Sequence, residues 1–370
     1  MNNYFPEVKK NFGFGCMRLP RKGPLIDIEQ SKQMVDTFLD AGFNYFDTAH
    51  GYIGGKSETA LKECLTSRYD REDYVLVNKL TGNFFEKEED LEGLFNTQLE
   101  ACGVEYFDFY LMHAQSAKNF EKFKTCKAYE FALSKKVEGK VKHVGISFHD
   151  SAKVLEQILT EYPEIEVVQI QFNYVDYNDA AIQSRLCYEV CRKYNKPVIV
   201  MEPVKGGSLV NLPEKADKIF RDLNGGSNAS YAIRFAASHD GIMMVLSGMS
   251  TTAQMEDNLS YMTEFKPLNE TELKAIDEVR EVFRAQNLIP CTACRYCVDG
   301  CPMHISIPDL FACMNEKKVF GGGQYYYNLH TMNNGKASEC IKCGMCEAVC
   351  PQHLNIRELL ESVAETFEKK

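Results

Sequence analysis

The chain has 370 residues and a formal net charge of −10, from 42 Lys and Arg against 52 Asp and Glu. A quarter of the residues are charged and 45% are hydrophobic, which excludes a disordered chain and suits one large domain or two ordinary ones. The acidic balance argues against a general nucleic-acid binder. No run of 18 apolar residues is present to span a bilayer, and the opening MNNYFPEVKKNFGFG lacks the apolar core of a secretory signal.

Up to about residue 265, short β-branched or aromatic runs alternate with longer amphipathic stretches. In chain order the runs are FGFGCM (12–17), FNYFD (43–47), YVLVNKL (74–80), FDFYLMH (107–113), VKHVGIS (141–147), VVQIQF (167–172), PVIVME (197–202) and IMMVLSG (242–248). Segments such as 57–68 and 151–162 read as helices between them. Eight strands alternating with helices predict an α/β fold, a closed (β/α)8 TIM barrel of parallel strands. An open doubly wound sheet would be expected to carry a G-x-G-x-x-G turn after an early strand, and the sequence has none. A helix over 267–286, with Asn269 as its cap, is expected to close the barrel. The composition changes at NLIPCTACRYC, so the domains are placed at 1–284 and 285–370.

The tail is where the cysteines gather. Nine of the 15 fall in residues 284–370, a segment with nine basic and nine acidic side chains, so the barrel segment carries the charge. Without a signal sequence a reducing cytoplasm is expected, where clustered thiols serve metals or catalysis. CTACRYCVDGCP supplies Cys291, Cys294, Cys297 and Cys301; CIKCGMCEAVCP supplies Cys340, Cys343, Cys346 and Cys350. Both are C-x2-C-x2-C-x3-C-P, the run that holds a cubane 4Fe–4S cluster. Three thiolates of one tight loop wrap three corners, and the fourth comes from farther away. In two-cluster proteins the fourth Cys of each run serves the other cluster. Cys350 is therefore assigned to the first set and Cys301 to the second. Structural zinc prefers separated C-x2-C knuckles, which these complete runs are not. A helix is expected within IPDLFACMNEKKVF, giving a small, mostly helical, ferredoxin-like domain with two 4Fe–4S clusters. Cys16, Cys64, Cys102, Cys126, Cys187, Cys191 and Cys313 are read as core-filling thiols.

Asp47 at a strand end, Tyr52 five residues on, Lys79 ending YVLVNK and His113 ending FDFYLMH resemble the catalytic tetrad of the aldo/keto reductases. The resemblance covers residues 10–265, and the tail resembles the iron–sulfur extension of one bacterial branch of that family. It implies hydride transfer between NADP or NAD and a small carbonyl or alcohol substrate. Tyr52 would exchange the proton, Lys79 would lower the tyrosine pKa, Asp47 would pair Lys79, and His113 would orient the carbonyl. Ser147 and Gln169 match the residues that hold the nicotinamide carboxamide. Phe148 stands where Asn is usual, and Met201 replaces the aromatic residue that stacks on the ring. Gly248, Ser250, Gln254, Asp257 and Asn258 match the adenosine-phosphate segment, without the Lys or Arg many members carry at Gly248 and Gln254. Thr251 or Thr252 is expected to cap the next helix, and VKGGSLVNLP, with Gly206, to cover the pyrophosphate. The resemblance leaves three readings of the fusion. The clusters brace the C-terminal module of a reductase, exchange electrons with a ferredoxin or flavoprotein partner, or report oxygen above a barrel that does not turn over. An anaerobic, cytoplasmic source is expected, with no membrane or nucleic-acid partner.

Overall fold

The computed structural model describes residues 4–179, 182–320 and 322–368. The chain packs as two compact units. The first comprises residues 4–179, 183–203 and 229–268; the second comprises 182, 204–228, 269–320 and 322–368.

The first unit contains eight strands: β1 (Phe12–Gly15), β2 (Tyr45–Asp47), β3 (Val75–Leu80), β4 (Phe107–Gln115), β5 (Val141–Phe148), β6 (Val167–Gln171), β7 (Val198–Met201) and β8 (Ile242–Ser247). Each pairs in parallel with its sequence neighbours, and β8 pairs with β1, so the barrel is closed. Strand runs expected over 12–17 through 242–248 thus form within a residue or two of their sequence limits. Parallel strands are covered on both faces, which is why all six residues of β3 are buried. The interior is close-packed. Gly145 has no side chain because a Cβ there would lie 2.6 Å from Val167 and 2.7 Å from Leu111. Phe5 closes the barrel floor, edge-on to Phe109 at 5.0 Å between ring centroids. In β4 the register slips between Met112 and Gln115, with Ala114 at φ 51°. A bulge of this kind re-aims the side chains beside it, and His113 sits there.

The second unit opens its C-terminal part with a helix over Glu270–Gln286. Its start is a capping box: the Asn269 side chain accepts from the Glu272 N–H, and Glu272 returns the bond. The helix runs on to Asn287, whose left-handed φ of 46° stops it, so the sequence boundary at 285 falls inside its last turn. It packs against the helix Glu214–Leu223. The packing therefore groups 204–228 and 269–284 with the cysteine-rich tail, where the sequence boundary grouped them with the barrel. Beyond it lie the short helices Tyr296–Asp299 and Met345–Ala348 and the longer ones Ile307–Phe320, Gln324–His330 and Ile356–Phe367. Leu310, Phe311, Leu360 and Val363 form their core, and Tyr327 stacks on Phe367 at 4.9 Å. Among the described residues no helix is long and apolar enough to cross a membrane.

Candidate active site and iron–sulfur ligands

Asp47 is the last residue of β2, Lys79 is next to last in β3 and His113 lies at the bulge of β4, so all three stand at the C-terminal ends of adjacent strands. This is the end where barrel active sites are built. Lys79 is fully buried. Its Nζ donates to Asp47 Oδ1 at 2.6 Å and to the Thr48 carbonyl at 2.7 Å. Tyr52, on the loop after β2, presents its ring face to that ammonium at 4.9 Å. The same ring meets His113 edge-on at 5.9 Å. The structure thus brings the four residues together.

Burial dominates the electrostatics of the site. Burial pushes the Tyr52 hydroxyl well above the ordinary tyrosine range, and Asp47, Cys16 and Glu202 push the same way. The tyrosine is thereby held neutral. The Lys79 ammonium is bonded to Asp47 and Thr48 and lies over the Tyr52 ring face. Burial also raises Asp47 and lowers Lys79, while each holds the other's charge by direct contact. His113 is kept well below the histidine range by burial first, then by Lys79 and His149, so it is a neutral imidazole. Its Nδ1 lies 2.7 Å from Thr81 Oγ1. A hydrogen bond donated by Thr81 leaves the hydrogen on Nε2, the tautomer that can donate to a carbonyl oxygen. Thr81, Thr48 and Cys16 were not legible as site residues. Thr81 alone carried a hint, two positions past Lys79 and beyond the end of its strand.

Ser147 and Gln169 are direct register partners on β5 and β6, both buried. Gln169 Oε1 is buried without a hydrogen-bond partner, an unmet acceptor of the kind a carboxamide N–H satisfies. Met201 ends β7, half-buried, and Phe148 is buried at the end of β5. After β8, Thr251 caps the helix Thr252–Met262, its side chain accepting from the Gln254 N–H. Gln254 Oε1 in turn accepts from the Ser250 N–H at 2.7 Å, and Asn258 Oδ1 accepts from Ser247 at 2.8 Å. Asp257 lies within 3.5 Å of Asn258. Gly248 leaves room for the stem of Arg18, whose Cδ would lie 3.3 Å from a Cβ there. Gly206 belongs to the second unit. It has φ 62°, and a Cβ on it would lie 2.4 Å from the carbonyl oxygen of Thr292, between Cys291 and Cys294. The loop singled out for a pyrophosphate is therefore in backbone contact with a cysteine loop.

The eight thiols of the two cysteine runs line two separate cavities. Cys291, Cys294, Cys297 and Cys350 surround one, against Phe311 and Ile356. Cys301, Cys340, Cys343 and Cys346 surround the other, against Ile341 and Met345. Each cavity takes three thiols from one run and the fourth from the other run. An Ala293 N–H 3.5 Å from Cys291 Sγ is a donor suited to a thiolate. Four soft sulfur donors around an apolar pocket fit a 4Fe–4S cluster. Cys16, Cys64, Cys102, Cys126, Cys187, Cys191 and Cys313 are all buried, as core thiols are.

A parallel barrel with acid–base groups at its strand ends, joined to a thiol-lined helical unit, defines an oxidoreductase scaffold. Residues 11–281 match the aldo/keto reductase family, and the chain belongs to that family. Residues 290–355 match the 4Fe-4S dicluster domain. An NADH-specific methylglyoxal reductase of Escherichia coli (strain K12) is 28% identical over 209 residues, half of this chain and 61% of that one. A 9,11-endoperoxide prostaglandin H2 reductase of Trypanosoma cruzi is 26% identical over 283 residues, 73% of this chain and 93% of that one. Among solved structures, an aldo-keto reductase from Klebsiella pneumoniae in complex with NADPH superposes with a TM-score of 0.59 at 17% identity, covering 74% of this chain and 95% of that one. One from Bacillus halodurans, a holo form, gives 0.59 at 24% identity, covering 73% and 92%. At these identities the structural likeness carries the fold.

Proposed function

We propose that the chain reduces a small carbonyl compound, or oxidises the corresponding alcohol, with NADPH or NADH, and carries two 4Fe–4S clusters in its C-terminal unit. The observation that carries this reading is the buried Lys79–Asp47 pair beneath Tyr52, with His113 edge-on to the same ring. A bound nicotinamide would supply the hydride. Tyr52 donates the proton to the oxygen as charge develops on it, and the neutral Nε2–H of His113 holds that oxygen in place. Lys79 keeps a fixed positive charge under the reacting centre, so the tyrosinate left behind is stabilised without solvent rearrangement. Ser147 and Gln169 would hold the carboxamide, Met201 would pack on the ring, and Gly248, Ser250, Gln254, Asp257 and Asn258 would take the adenosine phosphate. The protein is read as cytoplasmic, from an anaerobe.

One observation favours a second reading, electron exchange with a ferredoxin or flavoprotein. Cys343 is exposed, and Ile341, Met345 and Val349 around it are exposed as well, so a cluster held there would lie near the surface. The test is anaerobic purification followed by incubation with NADPH or NADH. About eight iron and eight sulfide per chain are expected. Carbonyl reduction with unchanged cluster absorbance supports the first reading. Bleaching of the clusters by nucleotide alone supports the second, and stoichiometric zinc without sulfide contradicts both.

A further inference from the structure

A second buried carboxylate lies beside the tetrad and is not used in the hydride step. Glu58 is 1% exposed. Its Oε1 accepts from Asn78 Nδ2 at 2.7 Å, and its Oε2 pairs with His50 Nδ1 at 2.7 Å. Each end of this bridge leads to a catalytic residue. Asn78 immediately precedes Lys79. Its Oδ1 accepts from the Lys79 N–H at 2.8 Å and from Gln98 Nε2 at 3.1 Å. Gln98 also donates to the Lys79 carbonyl at 2.9 Å and accepts from the Tyr110 hydroxyl at 2.6 Å. The backbone of Lys79 is therefore held on both sides by buried amides. At the other end His50 stands two residues before Tyr52.

The loop that carries Tyr52 needs such a hold. Ile53, Gly54 and Gly55 follow one another with positive φ of 55°, 63° and 80°. Three left-handed residues in a row, one of them β-branched, persist only where the surroundings fix them. The loop's own bonds are a few turns, from the N–H of Tyr52 to Ala49 and from those of Gly55 and Ser57 back to Tyr52. Thr48 anchors its start, through Ser57 and the Lys79 ammonium. His50 provides a further anchor, partly exposed at 20% and edge-on to Phe84 at 4.7 Å.

We propose that His50 is a positioning residue: its bond to Glu58 locks the Tyr52 loop to the backbone of β3, fixing the proton donor over Lys79. The catalytic consequence rests on the reading of Tyr52 given above, while the anchoring does not. A side chain whose only task is to hold the donor moves kcat rather than binding, because a displacement of about 1 Å costs on the order of 100-fold in rate.

The test uses the full chain with its clusters, purified anaerobically, and compares His50→Leu with His50→Gln, whose amide retains a donor for Glu58. Two measurements are made: amide hydrogen exchange by mass spectrometry, and steady-state reduction of methylglyoxal and a panel of aldehydes. In His50→Leu, exchange over residues 48–55 is expected to accelerate about tenfold or more while β3 stays protected. On any aldehyde the wild type reduces, kcat is expected to fall about 10- to 100-fold, with KM and nucleotide Kd within about twofold. His50→Gln should restore both within about threefold. Unchanged exchange in His50→Leu overturns the proposal, and so does equal damage in the two variants. If the wild type reduces no carbonyl at all, the functional reading fails, and the exchange comparison still decides whether His50 anchors the loop.

Discussion

Lys79→Met removes the cation of a buried pair and leaves Asp47 with two oxygens in the interior, Oδ2 of which has no hydrogen-bond partner even in the native chain. Breaking a buried pair in this way costs about 3–5 kcal/mol if the carboxylate stays ionised. The carboxylate has an escape, which is to take up a proton. Burial already raises Asp47, and Lys79 is what opposes that rise. With an unfolded-state pKa of about 3.9, protonation costs about 1.4 kcal/mol per pH unit above it. The penalty is therefore capped at about 1.5 kcal/mol at pH 5 and about 4 kcal/mol at pH 7. A group whose folded pKa is raised contributes stability that is lost as pH rises, so the variant should weaken towards neutral pH. For a barrel of this size the gap to wild type in Tm is expected to be about 3–6 °C at pH 5 and about 8–16 °C at pH 7. Anaerobic thermal melts followed by circular dichroism across that range measure it. The double variant Asp47→Asn with Lys79→Met lacks the titrating group and should show a gap that does not grow. A gap in Lys79→Met that is equally wide at both pH values would refute the view that an unpaired Asp47 charge causes the loss.

Tyr52→Phe keeps the ring and removes the donor, so turnover should drop by about 100-fold or more with nucleotide affinity nearly unchanged; near-native turnover would show that another group delivers the proton. Gly206→Ala places a Cβ against the Thr292 carbonyl and strains a left-handed residue, at a cost of about 1–3 kcal/mol. Iron retained per chain after brief exposure to air should fall below wild type, and equal retention would mean the contact does not support the Cys291–Cys294 loop. At the barrel floor, Glu166 is opposed by burial yet pulled down to about 2 by His143, Lys136 and the Val144 N–H. Its folded pKa is depressed, so its contribution is present above about pH 4.5 and is lost as pH falls towards 2. It amounts to about 3 kcal/mol before discount for the quarter of the side chain that meets solvent. Urea unfolding of Glu166→Gln should accordingly show a shallower acid limb than wild type.

The barrel was legible because its strands are short β-branched or aromatic runs at even spacing, and all eight formed where those runs stand. The capping box at Asn269 was legible for a similar local reason: two side chains three residues apart satisfy each other's backbone. The segment read as one helix over 57–68 was not. The α-helix ends at Leu61 and gives way to a wider π turn over Lys62–Thr66, where the Ser67 N–H reaches back to Lys62 and Thr66 donates to Cys102 from another helix. That is a tertiary demand no local pattern carries. The tetrad residues could be named from sequence because their order along the chain is distinctive. The contacts of the Lys79 ammonium could not, because the Thr48 carbonyl and the Tyr52 ring reach it only once the strands are in place. Glu58 and Asn78 escaped notice because a buried polar residue on a strand or helix looks like any other until its partners are in place.

The proposed chemistry is tested most directly by the fate of the transferred hydrogen. Anaerobic enzyme is given nicotinamide nucleotide deuterated at the reactive carbon, with an aldehyde it reduces, and the alcohol is analysed by mass spectrometry and NMR. The expected result is one deuterium per product molecule on the carbinol carbon, delivered to one face, with cluster absorbance unchanged through turnover. Alcohol whose new C–H hydrogen comes from water, formed as the clusters are reduced and reoxidised, would contradict direct hydride transfer at the Tyr52 site.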